Sequence, residues 1–287
     1  MLPLAGAIVL FGAAWPVTKL AVQHGAGPAW FALGRAALSC LGAAALVAVS
    51  GRGRAPGHAD LLPLFAVGIL QLAGFFALGH LAIALVPAGR TAVLSNATGI
   101  WIVPLSVLLG EVVPPRQWLA ALLGLLGVLV IVGPWGTDWA QPGLVLGNAL
   151  LLGAALSWAL AMVAIRRWPP RMALFEMLPW AFLVASVALL PLALSRPVGH
   201  WDAAGWAALL FIGLVAGPGG TWCVLQATRQ LPMVVASTGF LGAPALGLLL
   251  ASVWLGEAMT PDLLLGAALI LGGVATASLP SARRRAA

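Results

Sequence analysis

The sequence predicts an all-α membrane protein, with ten transmembrane helices in two inverted five-helix repeats around a central cavity. The first observation is its composition: of 287 residues, 62% are hydrophobic and 7% are charged, whereas a soluble protein carries roughly 25% charged residues. The second is a series of apolar segments, each near the ~20 residues that a helix needs to cross the hydrocarbon core of a bilayer. The third is an internal repeat.

The internal repeat is carried by two Leu-Gly-Glu motifs, Leu109–Glu111 and Leu255–Glu257. A proline follows each glutamate at the same distance, at Pro115 and Pro261, and an apolar helix that contains glycines follows each proline. Every one of these positions recurs at the same offset, the one that separates 111 from 257. A repeat of this size in an apolar chain indicates a duplicated transmembrane unit.

Glycine and proline residues interrupt the apolar sequence and set the predicted helix ends. Thr260 and Pro261 are typical of a helix start, with threonine as the N-cap and proline in the first turn. The ten predicted helices are Leu2–Val22, Ala29–Val49, Leu61–Leu85, Thr91–Leu109, Gln117–Val132, Gly143–Ile165, Ala173–Leu194, Ala204–Thr228, Val234–Leu255 and Asp262–Ala277.

The predicted domains are the two repeats, residues 1–135 and 141–280, followed by a basic cytoplasmic tail at 281–287. Because five is an odd number, the second repeat starts on the opposite side of the membrane and is inverted relative to the first. Two homologous halves of opposite orientation favour a binding site between them. They also offer two states of similar energy, one open to each side.

The distribution of lysine and arginine predicts the orientation. The outside connections hold only Arg90 and Arg196 if the N-terminus is cytoplasmic. The positive-inside rule then places both termini in the cytoplasm of a multi-pass protein of the bacterial inner membrane. The inside loops and tail would hold Arg52, Arg54, Arg116, Arg166, Arg167, Arg171, Arg229, Arg283, Arg284 and Arg285.

Several functional classes lack their sequence signals. The net charge is +7, but the basic residues are scattered between apolar segments, so nucleic-acid binding is not expected. No phosphate-binding loop, nucleophile elbow or metal-ligand spacing is present. We therefore expect no enzymatic activity, no catalytic residue, no cofactor and no metal. The expected partners are small-molecule metabolites and the lipid bilayer, and the expected oligomeric state is a monomer.

The paired Leu-Gly-Glu motifs, each with its proline and glycine-rich last helix, resemble the EamA-type transporters of the drug/metabolite transporter (DMT) superfamily. The segments Phe-Gly-Ala-Ala-Trp-Pro at 11–16 and Ser-Asn-Ala-Thr at 95–98 look like the YddG-like exporters of aromatic amino acids and related metabolites. The resemblance implies ten helices, cytoplasmic termini and a substrate cavity between the halves. It also implies export of aromatic and other apolar amino acids by alternating access. An importer or a nucleotide-sugar carrier remains open.

Polar residues of the fourth predicted helix are candidates for the cavity wall. Thr91, Ser95 and Thr98 follow i, i+4, i+7 spacing and share one face, and Asn96 flanks them. Ser237 falls at the matching place in the ninth helix. These side chains are expected either to bind substrate or to bond backbone and neighbouring helices, as hydroxyls commonly do in membranes.

Tryptophans far from the membrane interfaces are candidates for stacking on flat apolar substrates. Trp15, Trp101 and Trp158 are predicted at such depths, and Gln226 shares a face of the eighth helix with Trp222. The alternative for each tryptophan is packing or lipid contact. The expected cavity is mostly apolar, with few charges, and is lined by the first, third, fourth, sixth, eighth and ninth helices.

His80 is the histidine predicted to lie deep within a membrane span. It is expected either to bind substrate or carry a proton, or to be a neutral histidine bonded between helices. A rival hypothesis for the whole protein is a membrane-embedded enzyme that acts on a lipid-linked substrate with His80 as general base. Gln71 lies about 180° away around the same helix, so the two side chains are not expected to face one cavity.

The remaining charged residues of the spans have structural interpretations. Lys19 is expected to reach the interface, or alternatively to meet a substrate carboxylate, and Arg35 is expected to reach the interface. Glu111 and Glu257 precede helices that begin with proline, and we expect them to hold these turns, since a helix N-terminus stabilises a carboxylate.

Overall fold

The structure is a computed structural model that describes residues 1–51, 53–133, 143–231 and 239–278. Within these residues every regular element is a helix. Nine of the described helices are long and apolar enough to cross a membrane. A further apolar helix, Gly242–Leu255, is shorter. The predicted start of this helix, at Val234, lies outside the described residues.

The helices lie close to the predicted segments. The helices α1, α3, α4 and α8 are interrupted and are given below as consecutive pieces. In chain order the helices are α1 (Leu2–Gly12 and Ala14–Gln23), α2 (Pro28–Val49), α3 (His58–Phe65, Ala66–Gly74 and Phe75–Ile83), α4 (Ala88–Leu94 and Gly99–Leu108), α5 (Pro115–Val132), α6 (Leu144–Arg167), α7 (Leu174–Leu194), α8 (Ala203–Leu210, Phe211–Ala216 and Gly217–Gln230), α9 (Gly242–Leu255) and α10 (Pro261–Ser278).

The start of α3 lies at His58 rather than at the predicted Leu61. Asp60 explains the difference, because its carboxylate accepts a hydrogen bond from the backbone N–H of Gly57 at 3.1 Å. A carboxylate in the first turn satisfies a helix N–H group that otherwise has no partner. Apolarity alone therefore places the start of this helix too late.

The interruption of α1 lies at Ala13. Pro16 has no backbone N–H, so the carbonyl of Gly12 loses its helical donor. Gly247 of α9 packs against this point, where a Cβ atom on Gly247 would lie 3.0 Å from the carbonyl oxygen of Gly12. The proline thus produces a break that allows α9 to approach closely.

The middle pieces of α3 and α8 are π-helical. A π-helical segment frees backbone carbonyls from the α-helical pattern, and in each case a serine from a neighbouring helix donates to one of them. Ser157 of α6 donates to the carbonyl of Leu70 at 2.7 Å. Ser39 of α2 donates to the carbonyl of Gly213 at 2.9 Å. The two irregular segments occupy the third and eighth helices and are stabilised in the same way.

Packing between helices follows a regular scheme among the described residues. The most extensive contacts join α5 to α10 and α2 to α7. Other large contacts pair α1 with α8, α3 with α6, α1 with α9, α4 with α6 and α4 with α9. Further large contacts pair α2 with α8 and α3 with α7. All of these pairs take one helix from each half, whereas the contacts of α4 with α5 and of α2 with α3 lie within the first half. The two halves are therefore largely interleaved rather than side by side.

The two Leu-Gly-Glu motifs form the same turn. Gly110 and Gly256 have φ values of +73° and +65°, the left-handed conformation in which glycine commonly ends a helix. Glu111 forms an ion pair with Arg166 at the end of α6. In both halves the glycine of the motif ends a helix, which explains why the same motif recurs at the same place in each repeat.

Glu257 caps a helix, but not the one predicted. Its carboxylate accepts hydrogen bonds from the backbone N–H groups of Ala88 (2.6 Å) and Gly89 (2.8 Å) at the start of α4. The expectation that Glu257 stabilises its own turn before Pro261 is wrong in this respect. The carboxylate instead joins the two halves at one end of the bundle.

Further polar contacts join the halves at the same end of the bundle, which we call the His24 face. Ala26, between α1 and α2, forms an isolated antiparallel bridge with Gly199, between α7 and α8. Beside it, Nδ1 of His24 donates a hydrogen bond to Asp202 at 2.6 Å. The loops of the two halves thus meet directly over this end.

The opposite end, where α6 ends and α7 begins, exposes Arg166, Arg167 and Arg171, and we call it the basic face. Here Asp60 accepts hydrogen bonds from the backbone N–H groups of Arg171 (2.7 Å) and Met172 (3.0 Å). This contact ties the start of α3 to the connection between α6 and α7.

Candidate functional site

A cavity of about 490 Å³ lies within the bundle, inside the ~300–1,000 Å³ range of small-molecule sites. The residues that line it come from α1, α2, α3, α4, α6, α7, α8 and α9. The sequence predicts six of these helices, and α2 and α7 are additions. They reach the cavity because they pack along each other between the halves, and they contribute Arg35 and Phe182.

The cavity extends from mid-depth towards the basic face. Trp15 and Asn96 line it near the middle of α1 and α4, and Ala92 lines it about one turn nearer the start of α4. Ile165 and Leu174 line it at the end of α6 and the start of α7. At the His24 face the described loops and helix ends are joined by the contacts given above. The cavity is therefore nearer to one side of the bundle than to the other.

Aromatic side chains form one wall of the cavity. Trp15 and Trp158, both predicted site residues, line it together with Phe75 and Phe76. The ring centroids of Phe75 and Trp158 are 4.9 Å apart in an edge-to-face arrangement, and those of Trp15 and Phe75 are 5.9 Å apart. These distances are typical of favourable aromatic contacts. The two tryptophans therefore reach the same cavity from different halves.

Two further predicted residues, Ser95 and Asn96, line the cavity where α4 is interrupted. The Asn96 amide donates to the carbonyl of Ala92 at 2.7 Å, and the hydroxyl of Ser95 is buried without a hydrogen-bond partner. Thr98 of the predicted stripe also lines the cavity. Thr91 does not line it, and its hydroxyl donates to the carbonyl of Pro87 at 2.9 Å. The interruption alters the helical spacing on which the stripe was predicted.

His80 is fully buried and is not among the lining residues. Its Nδ1 atom lies 2.7 Å from the carbonyl oxygen of Phe76, in its own helix. The ring lies among those of Trp15 and Phe31, with centroids 5.6 and 5.7 Å away, and Nε2 has no hydrogen-bond partner. Gln71 does line the cavity, which agrees with the expectation that the two residues face different ways.

The other predicted site residues lie elsewhere. Trp101 is not among the lining residues, and its indole N–H donates to the carbonyl of Leu152 at 3.1 Å. Gln226 is half-buried in α8 and is also not among them. Ser237 lies outside the described residues. The structure thus brings four of the eight predicted site residues together at the cavity, and their function remains a prediction.

Arg35 is a cavity residue that the sequence reasoning missed. Its side chain is buried rather than extended to the interface, with a relative exposure of 6%, and it lines the cavity. The guanidinium carbon lies 4.2 Å from the centroid of the Phe76 ring. A signal was present: Arg35 follows the helix-starting Pro28 by two turns, which is about 10 Å of helix and too deep for an easy return to the interface.

Lys19 fulfils neither of its expectations. Its ammonium group donates to the carbonyls of Ile83 (2.7 Å) and Val86 (3.0 Å). These carbonyls lie at the end of α3 and beyond it, where they lack helical donors. A basic side chain at a helix C-terminus is favourable, so Lys19 joins α1 to the end of α3 at the His24 face.

No three His, Cys, Asp or Glu side chains lie close enough together to hold a metal ion within the described ranges. The cavity offers aromatic surface, amides, hydroxyls and one guanidinium. Such a lining suits the reversible binding of a small organic molecule. An interior cavity of this kind, in a multi-pass bundle whose described elements are helices, is typical of small-molecule transporters.

Comparison with known proteins identifies the family. Residues 1–133 and 145–279 both match the EamA-like transporter family. The two matches cover almost the whole chain. The chain therefore belongs to the EamA-like transporter family, of the drug/metabolite transporter superfamily, and the protein is a membrane transporter.

Individual relatives support this class. The chain is 28% identical over 205 residues to the uncharacterised transporter YoaV of Bacillus subtilis (strain 168), covering 70% of each protein. It is 30% identical over 217 residues to an uncharacterised transporter of Archaeoglobus fulgidus, covering 75% of this chain and 74% of that protein. It is 29% identical over 177 residues to the pseudopaline exporter CntI of Pseudomonas aeruginosa (strain UCBPP-PA14), covering 61% of this chain and 60% of that protein.

A solved crystal structure has the same fold, with a TM-score of 0.68 and 25% sequence identity, over 100% of this chain and 98% of that chain. The names of the three relatives describe transporters or exporters, and none of them mentions an aromatic amino acid. The likeness to YddG-like exporters therefore stays a proposal.

Proposed function

We propose that the protein is a secondary transporter that exports small metabolites by alternating access. Ten transmembrane helices in two inverted five-helix repeats would enclose the substrate. The observation that carries the proposal is the cavity, because helices of both halves line it at mid-depth. A site between two related halves can be exposed to either side when one set of helices rocks against the other.

The inversion is supported by the packing scheme. If the first five helices are exchanged with the last five, each large contact between the halves turns into another such contact: α1 with α8 becomes α6 with α3, and α1 with α9 becomes α6 with α4. The exchange leaves three pairs unchanged, namely α5 with α10, α2 with α7 and α4 with α9. The paired π-helical segments and the paired left-handed glycines add to this support.

The orientation follows from the positive-inside rule, which favours the basic face as the cytoplasmic one. The cavity extends towards that face, whereas Glu257, Lys19 and the Ala26–Gly199 bridge join the elements of the His24 face. The described conformation is then the one that receives substrate from the cytoplasm. The proposed setting is the bacterial inner membrane, with a monomer as the working unit.

The proposed substrates are aromatic and other apolar amino acids or related metabolites. The aromatic wall supports this choice, since Trp15, Phe75 and Trp158 can contact a flat apolar group. The likeness of the segments at 11–16 and 95–98 to YddG-like exporters supports it as well. The rival hypothesis of an enzyme using His80 has no such support, because His80 does not line the cavity.

The test is release of phenylalanine from lipid vesicles that contain the purified protein, compared with vesicles that lack it. Trp158→Ala is expected to slow release several-fold, because an aromatic contact is worth about 0.5–1.5 kcal/mol beyond its buried area. The matched control is Trp222→Ala, which removes a tryptophan that is 43% exposed and outside the lining. Vesicles that release no phenylalanine or other small metabolite above background would contradict the proposal.

A further inference from the structure

Arg35 places a positive charge at the cavity without a matching negative one. Its Nε and Nη1 atoms are buried and have no hydrogen-bond partner. None of the ion pairs among the described residues includes it. Its one strong contact is with the face of the Phe76 ring, 4.2 Å away. A buried charge whose hydrogen-bond donors are unused is unfavourable unless a partner neutralises the charge and accepts those hydrogen bonds.

The surrounding side chains do not provide that partner. Among the described residues that line the cavity, Arg35 is the one charged side chain. Glu176, in the first turn of α7, is not part of the lining. The sequence of residues 232–238, Pro-Met-Val-Val-Ala-Ser-Thr, contains no aspartate or glutamate. The described lining residues thus supply no negative charge for Arg35, and a molecule that enters the cavity can supply it.

We propose that Arg35 is the anion-binding residue of the cavity, and that the substrates are organic anions with a carboxylate beside an apolar, preferably aromatic, body. This inference rests on the proposed transport function and names its substrate class. The carboxylate accepts hydrogen bonds from the free guanidinium donors of Arg35, the geometry in which arginine binds carboxylates most strongly. The apolar body lies against the wall formed by Trp15, Phe75 and Trp158.

The same lining discriminates against cations. A substrate ammonium group meets no carboxylate among the described lining residues and is repelled by Arg35. The neutral oxygens of Gln71, Ser95 and Asn96 can accept hydrogen bonds from it but do not neutralise it. A net anion, such as an N-acylated or deaminated amino acid, therefore binds better than the matching zwitterion, and a cation binds worst.

The experiment compares four probes that share a benzyl group and differ in charge. They are N-acetylphenylalanine (anion), phenylalanine (zwitterion), N-acetylphenylalanine amide (uncharged) and benzyltrimethylammonium (cation). Binding to the full-length protein in detergent is measured by isothermal titration calorimetry. The anion is expected to bind at least about tenfold more tightly than the uncharged amide and the cation.

Substitutions at Arg35 test the residue itself. Arg35→Met is expected to weaken binding of N-acetylphenylalanine by about 30-fold or more, as truncation of a buried charged partner does, and to leave the amide nearly unchanged. Arg35→Lys keeps the charge and is expected to retain part of the preference. The matched control is Arg167→Met, which removes an exposed arginine of the basic face.

The outcomes separate this inference from the proposed function. Equal binding of anion, amide and cation by the native protein overturns the assignment of Arg35, as does no binding of any probe or an unchanged preference in Arg35→Met. The comparison of probes on the native protein decides the matter if Arg35→Met fails to fold. Anion binding without release from vesicles supports the Arg35 site and contradicts transport. Release of all four probes by the native protein and by Arg35→Met supports transport and overturns the site.

Discussion

The carboxylate of Glu257, in the second half of the chain, accepts a hydrogen bond at 2.6 Å from the backbone N–H of Ala88, 169 residues earlier in the first half. The N–H of Gly89 donates to the other carboxylate oxygen at 2.8 Å. The residue that follows the end of α9 therefore caps the start of α4. Since these helices also pack on each other, the contact fixes the two halves at the His24 face.

Removal of this cap should destabilise the protein. Glu257→Ala is expected to lower the free energy of unfolding by about 1–2 kcal/mol, because two N–H groups of the first turn of α4 lose a charged acceptor. The matched control is Glu111→Ala in the other Leu-Gly-Glu motif, where the carboxylate forms an exposed ion pair with Arg166. This change is expected to cost less than about 1 kcal/mol. Thermal unfolding in detergent would show an equal effect of both substitutions if the capping role were incorrect.

A second prediction concerns Ser39 and Ser157, whose hydroxyls donate hydrogen bonds to carbonyls of the π-helical segments. Ser39→Ala and Ser157→Ala each leave a carbonyl of the neighbouring helix without its donor, and each is expected to cost about 0.6–1.7 kcal/mol. Ser186→Ala is the control, since its hydroxyl donates to the carbonyl of Phe182 in its own helix. We expect a smaller loss of unfolding free energy for that variant in denaturant titration. Similar losses for all three serines would show that the contacts between helices have no special role.

The contact between His24 and Asp202 predicts a dependence on pH. The hydrogen bond from the backbone N–H of Gly205, followed by that from His24, holds the pKa of the Asp202 carboxyl below its ordinary value. The stabilisation from the ionised carboxylate is therefore complete above pH ~4 and is lost as the pH falls through the lowered pKa.

The measurement is the difference in thermal unfolding temperature between the native protein and Asp202→Ala, followed from pH 7 to pH 3. We expect the difference to be constant down to pH ~4 and to shrink below that value. A difference that grows on acidification would contradict the assigned direction.

Lys19 tests a choice that the sequence left open. The structure places its ammonium group on the carbonyls of Ile83 and Val86, so Lys19→Met is expected to cost about 1.5–3 kcal/mol of stability, as loss of a charged hydrogen bond does. The affinity of the cavity for N-acetylphenylalanine is expected to change less than twofold. A large loss of affinity with unchanged unfolding would instead assign Lys19 to substrate binding.

Trp15 and Arg35 both line the cavity, but only Trp15 was predicted to do so from the sequence. Trp15 lies in the middle of a long apolar segment, so its depth could be read from helix length alone, and it lines the cavity. Arg35 lies two turns inside its helix, a depth that the sequence also shows, but depth alone does not say whether a side chain faces lipid or a cavity. Its burial depends on the packing of α2 against α7, two helices from different halves whose contact no local pattern encodes.

The predicted stripe on α4 shows a second limit. The i, i+4, i+7 rule assumes a continuous helix, but α4 is interrupted between Leu94 and Gly99. Ser95, Asn96 and Thr98 line the cavity within this interruption, whereas Thr91 does not. Ser95, Asn96 and Gly99 are weaker helix formers than their apolar neighbours, but such residues also occur inside helices, so they do not fix the position of a break.

The sequence by itself determined the membrane class, the approximate helix ends, the duplicated motif and the family. These depend on composition, on segment length relative to the bilayer and on an offset between identical motifs, all of which are local or countable. The tertiary structure decided which side chains share the cavity, which helix Glu257 caps and where the charge of Arg35 lies. The physical reason is that these features depend on contacts between halves distant in sequence, and the energy of a buried polar group depends on the partners that such contacts bring to it.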